Sequence, residues 1–169
     1  VAHVVEDIRR VGSRRILFID LNLVSDPAYA RELFTALIPL KVRWFGLSTS
    51  LIGRDPALMD LMAKSGCTGL LIGFESISRA GLGTIDKRFN DPNLYAELVR
   101  DLHRRGITIQ GCFVFGSDAD TEESFDATAD FVIRSQIDLP RFAILTPFPG
   151  TPLHARYERE GRILTRDWE

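Results

Sequence analysis

The stretch DPALMDLMAKSGCTGLLIGFES, residues 55–76, decides the fold. Its first half reads as a helix: Asp55 suits the N-cap, Pro56 the first helical position and Gly66 the stop. Its second half, CTGLLIGFES (67–76), is apolar almost without a break until Glu75, as a strand covered on both sides is. A helix that closes on glycine and turns at once into a buried strand is half of a β/α repeat. The pattern recurs in DPNLYAELVRDLHRRG (91–106) followed by ITIQGCFVFGSD (107–118). Working outward, HVVEDIRRVG (3–12) reads as a helix and RRILFIDLN (14–22) as a strand. The next helix starts near Asp26, with Pro27 first and Ala30, Leu33, Phe34, Leu37 and Ile38 at helical spacing. VRWFGLSTS (42–50) is a strand, and a helical turn follows the central strand from Ser78 to Ile85. DTEESFDATADFVIRSQ (120–136) is a helix whose acidic start suits the positive end of its dipole. LPRFAILTP (139–147) is the last strand and TPLHARYEREGR (151–162) the last helix. Short apolar strands alternating with amphipathic helices predict parallel pairing through right-handed crossovers, hence an α/β fold. The rhythm leaves open whether the sheet is open, doubly wound or curled into part of a barrel.

Composition narrows the function classes. The 169 residues are 45% hydrophobic and 26% charged, and a single domain over 1–169 is expected. A net charge of −2 gives no electrostatic reason to expect nucleic acid or an anionic membrane as partner. No apolar run approaches the ~20 residues that span a bilayer, and no signal-peptide pattern opens the chain. Cys67 and Cys112 stand far apart in apolar contexts and read as reduced thiols, which together with the rest suggests a cytoplasmic protein. The chain opens with Val1 close to a helix and stops at Glu169 soon after another. It is therefore expected to be an excised piece of a longer protein.

In parallel α/β architectures ligands bind beyond the carboxyl ends of the strands. That rule gathers Asp20 and Asn22, then Ser48 with Thr49 and Ser50, then Glu75. It adds Gly116 with Asp118 and Asp120, and finally the proline-stiffened loop LTPFPGTPL (145–153), which includes Thr146 and Pro147. Proline fixes φ and removes a donor, so this loop is neither central strand nor helix interior. Alternation puts Leu71, Gly73 and Glu75 on one face, as it does Gln110, Cys112 and Val114. Several of these have plain structural readings. Asp20 caps a loop equally well, the serines form turns, and Asp118, Asp120 and Glu122 suit helix capping. His103, beside Arg104 and Arg105, reads as solvent-facing. Glu75 differs, because a carboxylate ending the apolar run LLIGF is costly to desolvate without a partner or ligand. No Gly-rich phosphate loop, HExxH or clustered CxxC occurs, and three histidines at these spacings make no metal site.

With these residues laid out, the chain resembles the radical S-adenosylmethionine superfamily. It is most similar to the subgroup whose members commonly carry a cobalamin-binding domain ahead of the radical core. The resemblance rests on FIDLN (18–22), SGCTGLLIGFES (65–76), LGTIDKRFN (82–90), GITIQGCFVFGSDADT (106–121) and LTPFPGTPL, with EGRI (160–163) and DW (167–168) trailing. It implies a partial TIM-like (β/α)6 barrel of which this piece supplies strands two to six. It also implies S-adenosylmethionine and a [4Fe–4S] cluster in the parent protein, with cobalamin in an upstream domain as a further option. By position, Glu75 would accept from the ribose hydroxyls and Lys87 would neutralise the methionyl carboxylate. Asp20 and Asn22 would contact the methionine amino group or the substrate, and Phe115 with Gly116 would wall the adenine. Thr146 and Pro147 would lie along the adenosine. Gln110 and Cys112 stand where the family often has a polar ribose contact. The family's CxxxCxxC cluster motif is absent, so the isolated piece is expected to be inactive, and the barrel strand missing before it leaves the edge of its own first strand open to dimerisation. Two alternatives stand beside this: a non-radical lyase or aldolase using Glu75 and Lys87 as acid and base, and a non-catalytic binding module.

Overall fold

The computed structural model describes residues 1–167; Trp168, the end of the DW pair, lies outside them. Five strands form one sheet in the order β1 (Arg15–Leu17), β2 (Arg43–Ser48), β3 (Cys67–Glu75), β4 (Thr108–Phe115), β5 (Leu139–Ile144), all neighbours parallel. The order never reverses. Each crossover must therefore turn the same way, which puts the connecting helices on one face and curls the sheet into a half-barrel. The helices are α1 (Ala2–Val11), α2 (Pro27–Leu37), α3 (Pro56–Lys64), α4 (Arg79–Thr84), α5 (Pro92–His103), α6 (Glu122–Ser135) and α7 (Pro152–Arg159).

The expected punctuation is present in atomic detail. Asp26, Asp55 and Asp91 each accept backbone N–H groups at the start of α2, α3 and α5, directly before a proline. Gly66 carries φ +97°, and a Cβ there would meet the Val42 carbonyl oxygen at 2.0 Å, so only glycine makes the turn from α3 into β3.

One face of the sheet is sealed by helices. Trp44, Phe34, Met59, Met62, Leu70, Ile72, Phe74, Tyr95 and Phe113 are all fully buried there. Burying a side chain of that size contributes about 1.5–3 kcal/mol. The rings of Phe74 and Phe113 stack at 5.6 Å across β3 and β4. The buried Trp44 indole donates to Ser65 Oγ at 3.0 Å, which satisfies its N–H. The other, concave face carries Phe45, Leu47, Leu71, Gly73, Gln110, Cys112 and Val114, all partly accessible.

Two expectations change. The first strand is much shorter than 14–22. The Phe18 N–H still reaches the Phe45 carbonyl at 2.9 Å, and the chain next rejoins β2 at Leu23, whose N–H reaches Leu47 at 3.1 Å. Residues 19–22 loop out between, leaving Ile19 and Leu21 exposed. His103 is not simply solvent-facing: its Nε2 lies 2.8 Å from Asp138, which also accepts the Ile109 N–H at 2.7 Å. The pair ties the end of α5 to the start of β4 and β5.

Candidate functional site

β3 ends in a distortion. The register with β4 slips between Gly73 and Glu75, and Glu75 adopts φ +66°, the left-handed region that a side chain with a Cβ disfavours by about 1–2 kcal/mol. Buried groups hold the distortion in place. Asn90, 1% exposed, donates to the carbonyls of Gly73 and Phe74, both at 3.1 Å, and accepts from Ser50 Oγ at 2.5 Å. Tyr95 donates to the Phe74 carbonyl at 2.9 Å, and burial pushes its phenol strongly up. The result aims Glu75 back across the concave face. Its Oε1 lies 2.6 Å from where a Gly73 Cβ would stand, so the carboxylate occupies the space that Gly73 leaves free. Its side chain is only 17% exposed, and among the described residues its one ion pair is with Lys87 at 3.6 Å, a lysine that also sits 5.6 Å from the Phe89 ring centre.

Beside Glu75, Cys112 pairs in register with Gly73, and Gln110 with Leu71. The half-buried Cys112 thiol is pushed up by desolvation; nearby Arg141 opposes the shift and Glu75 adds to it. Cys67 is buried, and burial pushes its thiol to about 12, so it is an inert core group. A cleft of about 260 Å³ opens at the same end of the strands, lined by Glu75, Ser76, Ser78, Val114, Asp120 and Thr121 among others.

The remaining sequence candidates divide. Ser48 lies on the helix-covered face, where it is 4% exposed and donates to the Thr49 carbonyl. The Phe115 ring packs on Phe125 of α6 at 4.5 Å, and its carbonyl accepts the Leu145 N–H at 2.7 Å. Gly116 turns the chain at φ +96°, but its N–H is taken by Asp120 at 2.8 Å. Asp20 is exposed, and Asn22 accepts the Val24 N–H at 3.3 Å, capping its loop. The proline loop is built from internal bonds. Thr146 Oγ1 donates to Ile144, Phe148 N–H to Thr146, and Thr151 Oγ1 to Phe148 at 2.6 Å, with Pro147 half-buried among them. Asp118 does not cap α6. It grips Arg162 of the EGRI stretch at 2.6 Å, and that guanidinium covers the Tyr157 ring at 3.9 Å.

No family model matches the chain. Known proteins do. It is 38% identical over 162 residues to the bacteriochlorophyllide d C-12(1)-methyltransferase of Chlorobaculum tepidum, a match covering 95% of this chain and 35% of that protein. The C-8(2)-methyltransferase from the same organism is 35% identical over 117 residues, covering 69% of this chain and 26% of the relative. The chain thus spans about a third or less of these relatives. Among solved structures, the radical S-adenosylmethionine methyltransferase TsrM of Kitasatospora setae, with tryptophan and an S-adenosylmethionine analogue bound, superposes with a TM-score of 0.83. That match has 20% identity and covers 95% of this chain and 32% of TsrM; a second TsrM structure holds cobalamin and a [4Fe–4S] cluster. The chain shares its fold with radical S-adenosylmethionine enzymes. The fold expected from that family is the one observed, and its distorted strand end falls on the family stretch GFES. Two residues that the superfamily resemblance left unassigned, Asn90 and Tyr95, fix that distortion. Asn90 closes the family stretch LGTIDKRFN, and this was the available signal.

Proposed function

We propose that this chain forms the S-adenosylmethionine-binding wall of a radical methyltransferase core, acting on a small-molecule substrate in the cytoplasm. The observation that carries this is Glu75, a mostly buried carboxylate held in a strained backbone and aimed across the concave face. Strain kept in place by buried hydrogen bonds is a mark of functional sites. The residues present fit the cofactor. Glu75 would accept from paired ribose hydroxyls, Lys87 would balance a methionyl carboxylate, and Gln110 would offer a further polar contact. Asp20 and Asn22 border the substrate end, while the Gly116 backbone and the Thr146–Pro147 loop flank the adenosine. When bound, S-adenosylmethionine supplies a methyl group and, with an iron–sulfur cluster, a 5′-deoxyadenosyl radical.

The chain's own share is to orient the nucleoside and keep water from it. The described residues do not supply the cluster's ligands: they hold two cysteines on separate strands and no group of three metal-binding side chains. A lyase or aldolase reading with Glu75 and Lys87 as acid and base is less well supported, since the Lys87 side chain is 41% exposed and paired with Glu75, whereas a lysine tuned for base chemistry is desolvated. Among the described residues no helix is long and apolar enough to cross a membrane. The open outer edge of β1 supports self-association of the isolated chain.

The test is the full-length protein reconstituted anaerobically with iron and sulfide. 5′-Deoxyadenosine formation that is lost in Glu75→Ala is expected. Absence of S-adenosylmethionine consumption by the wild-type enzyme overturns the reading.

A further inference from the structure

Register places three groups in one row across the concave face. The Glu75 carboxylate lies over Gly73, Gly73 pairs with Cys112, and Cys112 pairs with Arg141 of β5. Neighbouring strands lie about 4.8 Å apart, so the carboxylate and the root of the Arg141 side chain are about 10 Å apart. That distance is too long for a direct ion pair at the roots and suits a ligand lying between them. Arg141 is exposed and makes no ion pair among the described residues, whereas Arg156 and Arg162 of α7 and its tail are both paired with Asp118. The partners of Arg141 on its own strand are no help: Leu139 and Ala143 share its face and are apolar. Gln110 and Cys112 beside it are uncharged at neutral pH. Glu75 already faces Lys87. A guanidinium on the lining of a barrel, planar and always charged, binds a carboxylate or phosphate in a two-pronged fashion.

We propose that Arg141 is the specificity-determining residue for an anionic group, a carboxylate or phosphate, carried by the substrate. This deepens the proposed function: Glu75 reads the nucleoside at one end of the row, and Arg141 reads the second reactant's anion at the other. Lys87, next to Glu75, is the cation within reach of the methionyl carboxylate, which leaves Arg141 to the substrate. The inference makes the substrate acidic and disfavours a fully uncharged hydrocarbon.

Cys112 is a built-in reporter, since Cys67 is buried and its thiol inert. Alkylation rates of Cys112 by iodoacetate, an anion, and iodoacetamide, its neutral analogue, are measured on the 169-residue chain and on Arg141→Gln and Arg141→Lys. Both reagents attack the same thiolate, so the rate ratio cancels any change in thiol ionisation. A neighbouring charge at about 5 Å in water changes a charged reagent's local concentration about fourfold. The iodoacetate-to-iodoacetamide ratio is expected to fall about fourfold in Arg141→Gln and to hold in Arg141→Lys; an unchanged ratio in Arg141→Gln overturns the proposal. A second arm, on the reconstituted full-length enzyme, measures S-adenosylmethionine affinity. Unchanged affinity in Arg141→Gln supports a substrate anion, while a tenfold loss assigns Arg141 to the methionyl carboxylate and overturns the substrate assignment. If wild-type enzyme binds no S-adenosylmethionine, the proposed function fails by itself, because the alkylation ratio is read without the cofactor.

Discussion

Glycine at position 75 should be more stable than alanine, the reverse of their usual order within a strand. Glu75 sits at φ +66°. Alanine there bears the left-handed cost of about 1–2 kcal/mol, which glycine escapes. Glycine brings its own penalty of about 0.5–1 kcal/mol, because its unfolded chain is freer. The difference favours Glu75→Gly over Glu75→Ala by about 0.5–1 kcal/mol. Both variants remove the same carboxylate and the same pairing with Lys87, so those effects cancel in the comparison. With a urea slope of about 2 kcal/mol/M, the midpoint of Glu75→Gly should lie about 0.3–0.5 M above that of Glu75→Ala. Both variants should weaken nucleoside recognition to the same extent. An alanine variant as stable as the glycine variant, or more so, would mean that the backbone at 75 is not held in the left-handed region, and the argument from strain would fall.

Asn90→Ala removes three buried hydrogen bonds at about 1 kcal/mol each, so thermal denaturation should shift down by about 6–12 °C, against less than about 2 °C for Asn93→Ala on the exposed face of α5. Mass spectrometry after brief alkylation should find Cys112 modified and Cys67 untouched until the chain unfolds. Acid should weaken the fold through Asp55 and Asp138, whose carboxyls are held below the ordinary 3.8. For Asp55 the backbone N–H of Leu58 is the main cause; for Asp138 desolvation is the largest single influence and raises the value, but the bonds from His103 and Ile109 with the His103 charge together outweigh it. The folded state then binds fewer protons than the unfolded one near that value. Stability is present above it and is lost as the pH falls through the lowered folded values, and Asp138→Asn should flatten this part of a stability-against-pH curve.

Much of this was legible from residue order. The Asp-Pro starts and glycine stops fix where α3 and α5 begin and end, because each is a local matter of one cap and one dihedral. Alternation grouped Gly73 with Glu75 and Gln110 with Cys112, and the β3–β4 register brings the two groups to one face. The same rule, applied to VRWFGLS, would have turned Ser48 inward with Trp44 and Gly46, and applied to β4 it turns Phe115 toward α6. Both residues lie at strand ends, where parity sets the side of the sheet that the side chain takes. The slip between Gly73 and Glu75 could not be read, since it depends on Asn90 and Tyr95 arriving from fifteen to twenty residues downstream. Arg141 was hidden for a related reason: its face is defined only by the β4–β5 register, which neither strand encodes alone.

The most direct test of the central claim is a calorimetric titration of S-adenosylmethionine into the reconstituted full-length enzyme, wild type against Glu75→Ala. Hydrogen bonds to a charged group contribute about 1.5–3 kcal/mol, so affinity should drop about ten- to hundredfold. Equal affinity in the two proteins would contradict the account, because the strained carboxylate at the end of β3 would then have no part in holding the cofactor.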